Sequence, residues 1–147
     1  FPSMILSNLL LNNLEIQDNA LIITQLLTTM FLAILFIQSG IDKVIDKEGN
    51  LSWLKSHFSN SPLKNSVPLL LLIVTVFELL AGFGNLIGAF YVLFMDNTTV
   101  AVFGTLLSSI SLIMLFFGQR VAKDYAGAQS LVSYFILTII TLVLLSW

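Results

Sequence analysis

The sequence predicts an all-α integral membrane protein: a four-helix bundle with a short amphipathic surface helix between the first two spans. The first observation is composition, since 57% of the 147 residues are hydrophobic, 10% are charged, and the mean hydropathy is +0.98. A soluble domain carries about 25% charged residues. The second observation is that four long apolar blocks alternate with short polar stretches. Helices are the default spanning structure because lipid offers no hydrogen-bond partner to exposed backbone groups.

Each block is long enough to cross a bilayer, because about 20 residues at 1.5 Å each match the hydrocarbon core. The first span covers residues 20–40 and contains no charge, whereas the second, residues 67–95, contains one, Glu78. The third and fourth spans cover residues 98–117 and 128–147. On either side of the third span, polar and turn-compatible residues are expected to end the helices. These turns are Asp96-Asn97 and Gly118-Gln119-Arg120.

Two segments lie outside these spans. Residues 1–19 hold an apolar run too short to cross, so they are expected to lie in the membrane interface or to cap the bundle, ahead of a single transmembrane domain over residues 20–147. No Lys or Arg precedes the first span, so no positively charged leader is expected. In the polar segment that follows the first span, Leu51, Leu54 and Phe58 recur at helical spacing, which predicts the amphipathic surface helix.

The positive charges predict an orientation. All six lie in the loop after the first span or in the loop after the third: Lys43, Lys47, Lys55, Lys64, Arg120 and Lys123. By the positive-inside rule, both basic loops face the cytoplasm and both termini lie outside.

Composition also excludes several kinds of site. Without cysteine, the chain has no disulfide and no thiolate metal site, and its one histidine, His57, excludes a haem held by two histidines of one subunit. The net charge of -2 does not indicate a nucleic-acid partner. We find no phosphate-binding glycine loop, no nucleophile with a histidine partner and no zinc motif, so the sequence contains no catalytic signature and predicts no metal site.

A polar stripe on the second span is the candidate intramembrane site. Thr75, Glu78, Gly82 and Asn85 follow one another at spacings of three, four and three, so they share one helix face. Because an ionised carboxylate costs several kcal/mol at this depth, we expect Glu78 to be protonated and to donate a hydrogen bond to another helix. One interpretation is a structural pin between helices. The other is a proton or quinone-headgroup site, to which Gln38 and Tyr134 would contribute.

Small residues and charge clusters have structural interpretations. Gly82, Gly84 and Gly88 predict close helix contacts. Where the first helix emerges, an i,i+4 charge lattice on a helix extension is expected from Asp42, Lys43, Asp46 and Lys47. The corresponding end of the third helix carries Arg120, Lys123 and Asp124, and ion pairs between the two loops are expected. We interpret His57 as an interfacial polar residue.

Three stretches resemble the DoxX family of small bacterial membrane proteins. They are FIQSGIDKVID at the end of the first span, FELLAGFGNLIGAF in the second, and FFGQRVAKDYAGAQSLVSYFILTII between the third and fourth. Taken in order and spacing, the resemblance extends over roughly residues 28–145, most of the chain. The resemblance implies four membrane helices in the bacterial cytoplasmic membrane. One branch of the family resembles the small membrane subunit of a thiosulfate:quinone oxidoreductase, and another assists methylamine dehydrogenase maturation.

Two classes of function follow. The favoured one is an accessory or structural subunit that lies in the lipid bilayer and docks on other integral membrane subunits, as part of a respiratory or oxidoreductase complex. It needs no cofactor. The alternative is a redox-coupled membrane component whose Glu78 region receives a quinone headgroup or a proton.

Overall fold

The computed structural model describes residues 2–147, so Phe1, the first residue of the predicted N-terminal segment, lies outside the described part of the chain. Within that part every regular element is helical, and the predicted all-α class is confirmed. The elements are α1 (Pro2–Ile45), α2 (Lys47–His57), a 3₁₀ turn (Lys64–Ser66), α3 (Val67–Met95), α4 (Thr99–Val121), α5 (Tyr125–Ser130) and α6 (Val132–Leu145).

Four helical stretches of the described chain are long and apolar enough to cross a membrane, which makes this a multi-pass membrane protein: α1, α3 with its preceding 3₁₀ turn, α4, and α5 with α6. Consecutive spans pack side by side, and α6 returns to α1 and closes the bundle. At that closure Gln25 Nε2 donates a 2.8 Å hydrogen bond to the carbonyl oxygen of Leu144. The predicted four-helix bundle is therefore confirmed.

Helix α1 is longer than the predicted first span. It contains 44 residues without a break, which at 1.5 Å per residue makes it about 66 Å long. Residues 2–19 thus belong to the same helix as the span that follows, and they are exposed along their whole length. Their placement in the membrane interface stays a prediction.

The sequence predicts the position of the turn before α4 correctly, but not that of the turn after it. Asp96 adopts a left-handed backbone conformation (φ 48°), and Asn97 Oδ1 accepts a 2.8 Å bond from the amide of Thr99, so the predicted turn at this position is confirmed. The break predicted at residues 118–120 is wrong, because α4 continues to Val121. The chain turns instead around Lys123, whose φ is 61°.

Helix α2 confirms the predicted surface helix. It begins after Asp46, whose carboxylate accepts a bond from the amide of Gly49 and caps the helix, and it ends before Phe58. No residue within α2 is fully buried, whereas Phe58 is buried against the end of α4 beside Gly118. The helix therefore lies on the end of the bundle that carries the basic loops.

Glycines set the spacing between the spanning helices. A Cβ added at Gly88 would lie 2.4 Å from Ala101 Cα, and one at Gly104 would lie 2.5 Å from the amide nitrogen of Asn85. Gly84 lies against Gly104 in the same α3–α4 contact, whereas Gly82 faces α1, where its Cβ would lie 2.6 Å from the backbone of Ile37. These helices approach backbone to backbone, as small residues allow in membranes.

Candidate functional site

Glu78 forms an ion pair with a lysine of another helix. Its side chain is completely buried in α3, and its Oε2 lies 3.1 Å from the Nζ of Lys43 on α1. The Lys43 ammonium also donates to Ser39 Oγ at 2.8 Å and makes a longer contact of 3.4 Å with the carbonyl oxygen of Ser39. Glu78 Oε1 is buried without a hydrogen-bond partner.

This geometry gives Glu78 a partner that the sequence did not predict. A neutral Glu78 that donates a hydrogen bond was expected because no spanning segment contains Lys or Arg. Lys43, however, lies three residues past the predicted end of the first span, and its flexible apolar stem lets the ammonium lie beside Glu78. The expected charge lattice is also replaced, because in residues 2–147 Lys43 pairs with Glu78 and not with a neighbour in its own cluster.

Asn85 belongs to a separate polar network, two helical turns from Glu78. Its Nδ2 donates to Ser108 Oγ at 2.9 Å and to the carbonyl oxygen of Ala81 at 2.8 Å, and its Oδ1 accepts from Thr105 Oγ1 at 3.2 Å. All three polar side chains are completely buried. Because the amide is bonded at both ends, this network joins α3 to α4 and has no free group for a ligand.

The remaining members of the predicted polar site are scattered. Thr75 is buried, but its hydroxyl bonds the carbonyl oxygen of Leu71 within α3. Gln38 does not join the site, because it lies on an exposed face of α1. Tyr134 packs beside Phe31 and against the apolar core cluster that contains Leu32. The four members of the stripe on α3 are all buried, as the sequence predicts, but they make separate contacts, and only Glu78 is paired with Lys43.

An open cavity of about 350 Å³ lies beside this pair. Residues of α2, of the first part of α3 and of the last part of α4 form its wall, and α1 contributes Lys43. Lys43 lines the cavity, whereas most of its wall is apolar; examples are Leu54, Leu71, Val74 and Met114. A volume of this size lies in the range of small-molecule sites, which combine apolar walls with a few polar groups.

His57 connects α2 to the α4–α5 junction at the edge of the cavity. Its Nε2 donates to Gln119 Oε1 at 3.0 Å and lies 3.6 Å from Asp124 Oδ2. The imidazole also stacks on Trp53, with ring centroids 4.5 Å apart. The expected contact between the two loops therefore exists, but it is made by His57, for which the sequence alone indicates only an interfacial position.

The other cluster residues have local roles. Asp124 caps α5 by accepting a 2.9 Å bond from the amide of Gly127, as Asp46 does for α2 through Gly49. The Arg120 guanidinium lies 4.5 Å from the ring centroid of Tyr125, a cation–π distance. The pattern Asp-x-x-Gly occurs at both caps and was the sequence signal for these helix starts.

Comparisons of the chain with protein-family models, with curated proteins and with solved structures found no match. The resemblance to the DoxX family therefore stays a prediction that rests on the three quoted stretches alone.

Proposed function

We propose that the chain is a redox-coupled membrane component that holds the headgroup of a quinone, or of a similar lipid-soluble molecule, in the cavity beside Lys43 and Glu78. The observation that carries this proposal is the position of Lys43, which lies at the wall of a mostly apolar cavity while it pairs with the completely buried carboxylate of Glu78 behind it. Polar groups of this kind orient a ligand whose body fits the apolar wall.

The energetics of the pair support a functional role. Charged groups inside membrane bundles are costly, and where they occur they mark substrate and ion pathways. A buried ion pair is weak evidence for stability, because an apolar pair of similar volume often stabilises a protein as well or better. Glu78 Oε1 is buried without a partner, so the carboxylate also loses hydrogen bonds that it would make in water. Packing alone gives no reason for this arrangement.

The proposal includes the location that the sequence predicts. The chain would lie in a bacterial cytoplasmic membrane, with the basic loops in the cytoplasm and both termini outside. The cavity is at the end of the bundle that carries Lys55 and Lys123, so it would open toward the cytoplasmic face. The DoxX resemblance, with its quinone-linked branch, agrees with this assignment.

A second candidate function is an accessory subunit that docks on other membrane subunits. One observation favours it: residues 2–19 of α1 have no buried side chain, and several large apolar residues there are more than half exposed, among them Leu9, Leu11, Leu14 and Ile16. A partner subunit or the lipid bilayer would cover them.

Purification in mild detergent tests both candidates. We expect a quinone or another lipid-soluble compound, identified by mass spectrometry of an organic extract, to accompany the isolated protein at near-stoichiometric amount. Val74→Phe, which fills the cavity, should lose the compound. The matched control is Val76→Phe, two residues further on the same helix, where the side chain is exposed and does not line the cavity. Equal amounts of the compound in both variants, or a stoichiometric large complex without it, would contradict the quinone assignment and favour the accessory subunit.

A further inference from the structure

We infer that the cavity selects neutral molecules with a hydrogen-bond acceptor, such as a ketone or quinone carbonyl, and rejects carboxylates and other anions. This inference rests on the proposed function, since it names the ligand chemistry of the same site. It concerns the charge of the ligand, which the presence of a cavity alone does not determine.

The first argument is charge balance. Lys43 is the cation at the cavity wall, and its charge is already matched by Glu78 at 3.1 Å. An anionic ligand on Lys43 would place a second negative charge within a few ångströms of that carboxylate. Like charges that share one site disfavour each other, and low-dielectric surroundings strengthen the repulsion. A neutral acceptor has no such cost.

The second argument concerns the hydrogen bonds of the Lys43 ammonium, which has three N–H donors and no acceptor. Two donors make good contacts, with Ser39 Oγ at 2.8 Å and with Glu78 Oε2 at 3.1 Å. The contact with the Ser39 carbonyl oxygen is long, at 3.4 Å. A ligand acceptor can replace this weak contact without breaking the ion pair, because the Lys43 side chain is 17% exposed and lines the cavity.

The third argument concerns the other charged and polar groups of the cavity wall. His57, Asn50 and Gln119 line it further out, and His57 already contacts Gln119 and Asp124. Apart from Lys43, no Lys or Arg of the described chain lines the cavity. An anion that entered would therefore find no unpaired cation.

Fluorescence quenching of Trp53 tests this inference, because Trp53 lines the cavity. The chain has two tryptophans, so Trp147→Phe leaves Trp53 as the sole emitter. The probes are a brominated fatty acid, ionised at the pH of the assay, and the methyl ketone of the same brominated chain. Unbrominated competitors separate binding in the cavity from partition into detergent. We expect competable quenching by the ketone at a concentration at least tenfold lower than by the acid.

Glu78→Gln is the decisive variant, because it leaves Lys43 without a counter-ion while it keeps the size of the side chain. The preference should then invert, so that the acid binds at least tenfold more tightly than the ketone. Lys55→Gln, an exposed lysine of α2 outside the cavity wall, should retain the wild-type preference. The wild-type comparison is informative even if Glu78→Gln does not fold.

The outcomes distinguish failure of the proposed function from failure of the ligand selectivity. No competable quenching by either probe would contradict both the proposed function and this inference. Equal binding of the two probes by the wild-type protein, or tighter binding of the acid, would overturn the selectivity and leave a ligand site in place. An uninverted preference in folded Glu78→Gln would likewise overturn the charge-balance argument.

Discussion

The Nζ of Lys43 lies 3.1 Å from the Oε2 of Glu78. This contact joins the C-terminal end of α1, which we predict to face the cytoplasm, to a buried position within α3. Glu78 lies eleven residues into α3, about 16 Å from its first residue along the helix axis. The pair is therefore well inside the bundle, yet the cavity under α2 lies beside its lysine. Depth and access together distinguish this pair from a surface salt bridge.

The coupling between the two residues is measurable as a double-mutant cycle. Lys43→Met should lower the free energy of unfolding by about 3 kcal/mol, because a buried carboxylate is left without its cation. Lys43→Met with Glu78→Leu should recover most of that loss. Lys47→Met is the matched control, since Lys47 is exposed and makes no ion pair in the described chain. Additive effects of the two substitutions, measured by unfolding in detergent, would mean that the residues do not interact.

The glycine contacts give a stability prediction with a built-in control. Gly88→Ala should lower the free energy of unfolding by about 1–3 kcal/mol, because the added methyl group meets the backbone of Ala101 and the helices must separate. Gly118→Ala should change little, since its Cβ would make an ordinary 3.5 Å contact with the Phe58 ring. Thermal unfolding in detergent compares the two variants. Similar losses at both positions would contradict the close contact assigned to α3 and α4.

The predicted orientation is tested by cysteine labelling in intact cells, which is feasible because the chain has no cysteine of its own. Ser56→Cys lies on α2 among the basic residues and should react only with a reagent that enters the cytoplasm. Asn97→Cys lies in the turn between α3 and α4 and should react with an impermeant reagent from outside. Both side chains are exposed in the structure. The reverse labelling pattern would overturn the orientation and leave the four-helix bundle intact.

Much of the fold was predictable from the sequence because the bilayer constrains it so strongly. Apolar length located the spans, and the spacing of Leu51, Leu54 and Phe58 located α2. The sequence pattern places the end of α4 too early because glycine is common in turns, whereas Gly118 is a helical residue that accommodates the Phe58 ring. The helical continuity of residues 2–19 was missed, since polar residues such as Asn12 and Asn13 interrupt the apolar run without stopping the helix.

The candidate site was predictable only in part. Burial of Glu78 followed from its place in an apolar block, but its partner depended on how α1 and α3 align. That alignment is set by close contacts, Gly40 against Leu79 and Gly82 against Ile37, which no spacing within one helix reveals. Sequence reasoning grouped Lys43 with its neighbours in the chain for the same reason. The cavity was not predicted at all, because it forms where α2, the first part of α3 and the end of α4 meet, and no pattern within one helix reveals that packing.

Infrared difference spectroscopy of the wild-type protein against Glu78→Gln tests the ionised Lys43–Glu78 pair most directly, and both the proposed function and the selectivity depend on that pair. If Glu78 is ionised beside Lys43, the difference spectrum at neutral pH should contain the stretching bands of a carboxylate that the variant lacks. Lys43→Met, in which the carboxylate has lost its cation, should change these bands. A protonated-acid band in the wild-type protein, unchanged in Lys43→Met, would contradict the account.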